Sequence, residues 1–164
     1  DFRAEERTFQ LLTQVAGRAG RGELGGEVVI QTYSPEAYPI QCAREYDFSK
    51  FFEEEARKRR ELHYPPFGRL LNLLLRGRDQ ARVEGAAGEL AQALRENLTG
   101  DGFLQVLGPA PAPLSRLKGE YRWQILLKGE KAGQLQDLVR NCLKGFKGLK
   151  GVKLSLDVDP VEVL

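Results

Sequence analysis

Three observations predict a mixed fold of the α/β (α+β) class for this chain. Its second half alternates strand-period and helix-period segments in the order strand–helix–strand–strand–helix–strand. The first of those strands is apolar on both faces, as a central strand is, while the last alternates apolar and polar residues. A proline pair, Pro65-Pro66, separates this half from a largely helical first part. With 164 residues, of which 41% are hydrophobic, there is material for one domain or two small ones with buried cores.

The section from Asp1 to about Asp47 opens with a helix in which Phe9, Leu12, Val15 and Ala16 recur at helical spacing. Gly17, Gly20 and Gly22 are expected to end it. Gly25-Gly26 then turns the chain into Glu27 to Tyr33, a short β-branched run that reads as a buried strand. Ser34-Pro35-Glu36 follows, with serine as N-cap and proline at the first helical position. Residues 48–68 read as a connecting helix and linker. Ser49 can cap the helix, Phe52 and Ala56 give it an apolar side, and Pro65-Pro66 stops it because neither proline donates a backbone hydrogen bond. The boundary is placed here, which gives sections 1–47, 48–68 and 69–164.

In the third section Leu70 to Leu75 is the first strand, polar only at Asn72. The helix from about Gln80 to Leu98 carries Val83, Ala87, Leu90 and Leu94 in one stripe. Phe103 to Leu107 is a second strand, and Gly108 to Glu120 reads as a long proline-rich loop. In the third strand Tyr121, Trp123, Ile125 and Leu127 alternate with polar neighbours, which puts Trp123 in the core. The second helix presents Leu135, Leu138, Val139, Cys142 and Phe146 together. The last strand alternates Val152, Leu154, Leu156 and Val158 with Lys153, Ser155, Asp157 and Asp159. This is a split β-α-β (βαββαβ) unit with its helices on one sheet face.

Composition excludes more than it assigns. Lysine and arginine total 25 against 23 acidic residues, a net +2, which is too even to announce a nucleic-acid partner by itself. Cys42 and Cys142 lack the second pair a zinc site needs and read as reduced thiols of a cytosolic protein. No apolar run approaches the ~20 residues of a membrane span, so no membrane partner is expected. The chain lacks methionine and opens at Asp1 on charged helical sequence, which suggests a piece excised from a longer one.

The segment with the most chemistry is Gln14-Val15-Ala16-Gly17-Arg18-Ala19-Gly20-Arg21. Phosphoryl transfer spreads charge over the γ-phosphate oxygens, and a guanidinium fork matches that geometry. Glycine beside arginine lets backbone approach a nucleotide without a Cβ in the way, and Gln14 can hydrogen-bond at the same site. Read alone, the pattern fits equally a glycine-punctuated helix end whose arginines only complement the helix dipole.

Gln14 to Arg21 resembles the sixth motif of the helicases of the large second superfamily. The longer run from Asp1 to Arg21 resembles the primosomal, replication-restart DNA helicases more closely than their relatives. Gly26 to Thr32, His63-Tyr64-Pro65-Pro66-Phe67, Gly108 to Pro113, Tyr121-Arg122-Trp123-Gln124 and Asp157-Val158-Asp159-Pro160 agree with that family in the same order. The resemblance implies a bacterial, cytoplasmic motor that couples ATP hydrolysis to 3′-to-5′ unwinding, recognises branched forks and reloads the replication machinery. Residues 1–47 would be the end of a RecA-like helicase lobe 2. Residues 69–164 would be the C-terminal domain, similar in fold to a small ribosomal protein. By motif position Arg21 would be the arginine finger, with Arg18 beside it on the phosphates. Gln14, Gly17 and Gly20 would complete the nucleotide contact. ATP and Mg²⁺ are the implied cofactors, with zinc in an upstream insertion. Branched and single-stranded DNA, single-strand-binding protein and other primosome proteins are the implied partners. The family's Gly-Lys-Thr phosphate loop, acidic box and cysteine-rich zinc insertion are not in this sequence. The chain alone is therefore expected to be inactive and to hold no metal.

Weaker candidates are basic. Arg57-Lys58-Arg59-Arg60 could neutralise phosphates, yet Glu53-Glu54-Glu55 precedes it at pairing distance on a helix. The surface candidates in the third section are Arg116, Lys118, Tyr121, Arg122, Lys128 and Lys131, for DNA or a protein partner. His63 reads as a packing residue of the linker. Two other functions stay open: a non-catalytic nucleic-acid- or protein-binding module in which the Gly-Arg motif is only structural, and a different helicase of the same superfamily.

Overall fold

The computed structural model describes residues 2–19, 26–98 and 102–161. The chain divides into two compact units, Asp1–Arg59 and Arg60–Leu164.

The first unit is built on α1 (Ala4–Ala19), α2 (Tyr38–Glu45) and α3 (Phe48–Glu61). Its core is small: Phe9, Cys42, Ala43 and Phe51 are buried, with Leu12 and Tyr38 packed against them. Phe9 and Phe51 stack with ring centroids 4.1 Å apart, and Tyr38 stacks on Phe51 at 5.7 Å. A charged layer lies beside the rings. Glu6 pairs with Arg3 and with Arg59, both at 2.9 Å, and Arg59 reaches Glu55 at 2.6 Å. Glu55, only 8% exposed, also accepts a hydrogen bond from the Tyr38 hydroxyl. Burial first, and that bond second, push the Tyr38 hydroxyl far above its ordinary value.

The hydrogen bond from Arg3, joined by Arg59 and opposed by partial burial, holds the Glu6 carboxyl at about 2, against an ordinary 4.5. A depressed carboxylate stabilises the fold above its unfolded value, and that contribution is lost as pH falls from about 4.5 through about 2. Glu6→Gln should therefore cost stability near neutrality, and the cost should shrink over that acid window. Thermal melts of both proteins at stepped pH check this; parallel curves would refute it.

Several expectations for this unit are corrected. Gly17 does not end α1, which continues to Ala19. Glu27 to Tyr33 is not a buried strand: Val29 is 85% exposed, and no strand lies among the described residues of this unit to take its backbone hydrogen bonds. Ser34 does not cap α2. Its carbonyl accepts from Ala37 N–H at 3.1 Å in a preceding turn, and α2 starts at Tyr38 with Pro39 in the first turn. The side-chain cap of α3 is Asp47, which accepts from Lys50 N–H at 2.9 Å, and not Ser49. The inward stripe of α3 is Phe51 and Glu55, while Phe52 is 61% exposed. A glutamate with two polar partners can line a core face, and this displaces the apolar pattern by one position.

The second unit contains β1 (Arg69–Gly77), α4 (Gln80–Glu96), β2 (Leu104–Leu117), β3 (Glu120–Gly129), α5 (Ala132–Gly145) and β4 (Lys153–Val158). The sheet runs β2-β3-β1-β4 with every neighbouring pair antiparallel, the arrangement of a split β-α-β fold. As its composition predicts, β1 is interior. Leu71, Leu73, Leu75, Ile125 and Leu127 face Val83, Ala87, Leu90 and Leu94 of α4 and Leu135, Leu138 and Val139 of α5 in one core. Asp79 caps α4 by accepting from Arg82 N–H at 3.2 Å. Trp123 and Cys142 pack at the border of the core, half-buried.

The expected loop from Gly108 is instead the outer arm of a hairpin, because β2 continues to Leu117. Edge position explains how a strand accepts Pro109, Pro111 and Pro113, since an outward-facing N–H is dispensable there. Register shifts between Leu107 and Ala110, and again between Pro111 and Arg116, absorb the irregularity. The hairpin closes on Lys118 and Gly119, both at positive φ (50° and 79°), the two-residue turn whose twist suits paired strands. On the sheet face away from the helices, residues following α3 cover one end. The Lys128 ammonium donates to the Leu62 carbonyl and lies 3.9 Å from the Tyr64 ring centre, and His63 stacks on Phe103 at 3.9 Å.

Candidate functional site

In the first unit Gln14, Gly17 and Arg18 share one exposed face of α1, at helical spacing, with Arg18 in the last turn. Among the described residues, nothing beyond the turn of helix around Gly17 lies within 4 Å of the place a Cβ there would occupy, so a ligand could approach the bare backbone. The chain later returns past this helix end so closely that a Cβ on Gly26 would fall 2.1 Å from the Ala19 carbonyl oxygen. The recess beside the motif, about 250 Å³, is lined by apolar Leu12, Ala16, Val28, Ile30 and Ala43, with Arg44 and Tyr46 as its polar side chains. Gly20 and Arg21 lie outside the described residues. An amide, a guanidinium and an open glycine fit one wall of a phosphate site. For zinc, no group of three histidine, cysteine or acidic side chains is suitably placed among the described residues.

The basic run of α3 is engaged within the molecule. Arg57 meets Glu54 at 2.7 Å; Lys58 meets Glu5 at 3.5 Å and sits 4.0 Å from the Tyr38 ring centre. Arg59 is held between Glu6 and Glu55, and Arg60 lies 4.5 Å over the Phe67 ring. Arg57, Lys58 and Arg59 thus each face a carboxylate, whereas exposed Arg60 faces a ring and keeps its charge.

In the second unit the surface candidates separate. Lys128 is 5% exposed, so its placement on the surface is corrected: the strand alternation that turns it off the core face puts it under the segment after α3. Burial lowers the pKa of its ammonium. Lys131 is exposed at the start of α5, beyond the end of β3 opposite the hairpin turn. Arg116, Lys118, Tyr121 and Arg122 gather at the hairpin, with the Arg116 guanidinium 5.2 Å from the Tyr121 ring centre across the strand pair. Arg122 donates to the Leu114 carbonyl at 3.3 Å.

The topology adds residues that sequence reasoning missed. Arg122 of β3 is registered opposite Arg76 of β1, and Arg76 opposite Lys153 of β4. Three cations thus form a row across the open sheet face, an arrangement that like-charge repulsion disfavours. Beside the row is a recess of about 430 Å³ whose charged lining is Arg76, Arg78, Asp79, Arg82, Glu120 and Lys153. Glu120 pairs with Lys153 at 3.0 Å and with Arg76 at 4.0 Å. The Lys153 hydrogen bond, aided by the charges of Arg76 and Arg78, holds its carboxyl below the usual carboxylate range. Arg76, Arg78 and Arg82 sit close together in the chain and could have been noticed as a cluster. Their meeting with Arg122 and Lys153 depends on register.

Residues 60–161 match the family described as Primosomal protein N C-terminal domain. The chain is 39% identical to the replication restart protein PriA of Bacillus subtilis (strain 168), over 98% of its own length and 20% of the relative's. It is 41% identical to PriA of Treponema pallidum (strain Nichols), over 100% of the chain and 25% of the relative. Against PriA of Synechocystis sp. (strain ATCC 27184 / PCC 6803 / Kazusa) it is 37% identical over 99% of the chain and 19% of the relative. The chain thus spans only about a fifth to a quarter of these relatives.

Proposed function

Because this chain belongs to the Primosomal protein N C-terminal domain family, we propose that it serves as the C-terminal portion of an ATP-dependent, 3′-to-5′ DNA helicase that recognises stalled or branched replication forks and restarts replication by primosome assembly. Nucleotide chemistry belongs to the longer protein, which supplies the phosphate loop and the acidic box for ATP and Mg²⁺; zinc belongs to an insertion outside this sequence. Within the chain, Arg21 acts as finger on the γ-phosphate, Arg18 contacts the phosphates, and Gln14, Gly17 and Gly20 let them approach. The segments 1–47, 48–68 and 69–164 are taken as lobe end, connector and DNA- or partner-binding domain. Single-strand-binding protein and other primosome proteins are the protein partners, in a bacterial cytoplasm.

The observation that carries the DNA-binding part of this reading is the cross-strand row of Arg122, Arg76 and Lys153 on the open sheet face; Arg116 and Tyr121 flank it at the hairpin, on the opposite face of the strand pair. Phosphate contact relieves the repulsion within such a row, and Tyr121 offers a ring on which a base can stack. Among the described residues α4 and α5 pack on the opposite sheet face, so no helix of the second unit's core reads base edges here and binding should have little sequence preference. Replacing Arg116, Lys118 and Arg122 together by alanine should weaken binding of a labelled fork by about tenfold or more at low salt, and flatten its salt dependence. Titration at two ionic strengths tests this. Unchanged affinity, or binding indifferent to salt, would favour the second reading, a protein-docking module.

A further inference from the structure

We propose that the recess between the end of β1, the start of α4 and β4 is a seat for one DNA backbone phosphate, and that Glu120 occupies that seat in the free protein as the group the phosphate displaces. The inference rests on the reading of this sheet end as a DNA-binding surface, and it assigns a role to a carboxylate that such a surface would otherwise be better without. The seat has four basic side chains, Arg76, Arg78, Arg82 and Lys153, around an opening of about 430 Å³, ample for a phosphodiester. Two carboxylates share it, and their positions differ in kind. Asp79 is committed locally: it caps α4 through Arg82 N–H and pairs with the Arg82 side chain at 3.4 Å. Glu120 has no comparable backbone duty in the hairpin. Its carboxylate instead reaches across to Lys153 on β4 and Arg76 on β1, the two cations that β1 places side by side.

A carboxylate bridging two cations from different strands presents the same charge and acceptor geometry as a phosphate oxygen pair. It keeps Arg76 and Lys153 aimed at the seat and relieves their repulsion when no DNA is bound. It also lowers affinity, because an incoming phosphate must break those pairs before it gains its own. Glu120 thereby sets the threshold of binding: a lone phosphate gains little by exchanging one anion for another, whereas a DNA chain also held at the Arg116–Arg122 hairpin gains enough contacts to make the exchange.

The test is Glu120→Gln in the full 164-residue chain, titrated with a fluorescein-labelled oligodeoxynucleotide, single-stranded and annealed into a fork. Glu120→Gln should bind about two- to fivefold more tightly at low salt, the range an exposed ion pair commands. Its salt dependence should steepen by about one phosphate equivalent. Asp137→Asn supplies the control for net charge, since Asp137 pairs with Arg140 on α5, on the opposite sheet face; it should change affinity by much less. Adding Lys153→Ala to Glu120→Gln should abolish most of the gain. Equal gains in Glu120→Gln and Asp137→Asn, or no gain in either, would overturn the role of Glu120 while leaving DNA binding intact. A chain that bound neither DNA at low salt would overturn the surface assignment itself, and the seat with it.

Discussion

Replacing Arg21 by alanine in the longer protein that carries the phosphate loop is expected to lower DNA-stimulated ATP hydrolysis by about 10³-fold or more, with DNA affinity nearly unchanged. The size follows from where a finger acts. Charge on the γ-phosphoryl oxygens is redistributed in the transition state, so a guanidinium aimed there is worth far more at that moment than in the bound ground state. DNA affinity depends on other cations. Arg18→Ala should also slow turnover but should weaken nucleotide binding as well, because a contact to the phosphates is present before and during reaction. Steady-state hydrolysis and nucleotide titration of the two variants separate these roles. Near-normal turnover in Arg21→Ala would make the Gly-Arg run a helix end and no more, and would return the chain to the class of binding modules.

How far such assignments could be read from sequence differs between the units. In the second unit β1, α4 and α5 each bury a stripe of their own, so periodicity sufficed for them: Val83, Ala87, Leu90 and Leu94 on α4 and the doubly apolar β1 point to a core with β1 inside the sheet. In the first unit periodicity misled. Glu27 to Tyr33 has strand composition, but a strand exists only where a neighbour takes its backbone groups. Phe51 rather than Phe52 faces inward because Glu55, held by Tyr38 and Arg59, shares that stripe, and no hydrophobic pattern counts a glutamate as core. The β2–β3 hairpin was hidden for the converse reason: prolines argue against a strand, and only edge position makes them harmless.

The candidate site shows the same division between local and non-local information. Arg116, Lys118, Tyr121 and Arg122 are near in sequence and meet at a turn, so they could be grouped without coordinates. Lys128 belongs to the same alternating series of β3, yet it is covered by the segment after α3, a long-range contact that alternation does not encode. Lys153 and Arg122 reach Arg76 only through the registers on its two sides. Glu120, in turn, looks like an unremarkable turn residue until those registers place it among three cations.

Leu73→Ala should destabilise the second unit by about 2–5 kcal/mol, whereas the same substitution at Leu156, its cross-strand neighbour on the same sheet face, should cost less than about 1 kcal/mol. Both positions lose the same atoms. Leu73 is 0% exposed in the middle of β1, and its backbone is paired on both sides, with Ile125 and with Leu156. The sheet therefore cannot close on the vacated space, and the cavity term adds to the lost transfer energy. Leu156 is 49% exposed on β4, an outer strand, so solvent already meets much of the side chain and little cavity forms. Denaturant unfolding of the two variants and the parent measures the difference directly, provided the slopes agree. Equal losses would mean that the groove lined by Leu156, Val158 and Leu143 is covered in solution, and that β4 is not the edge this fold makes it.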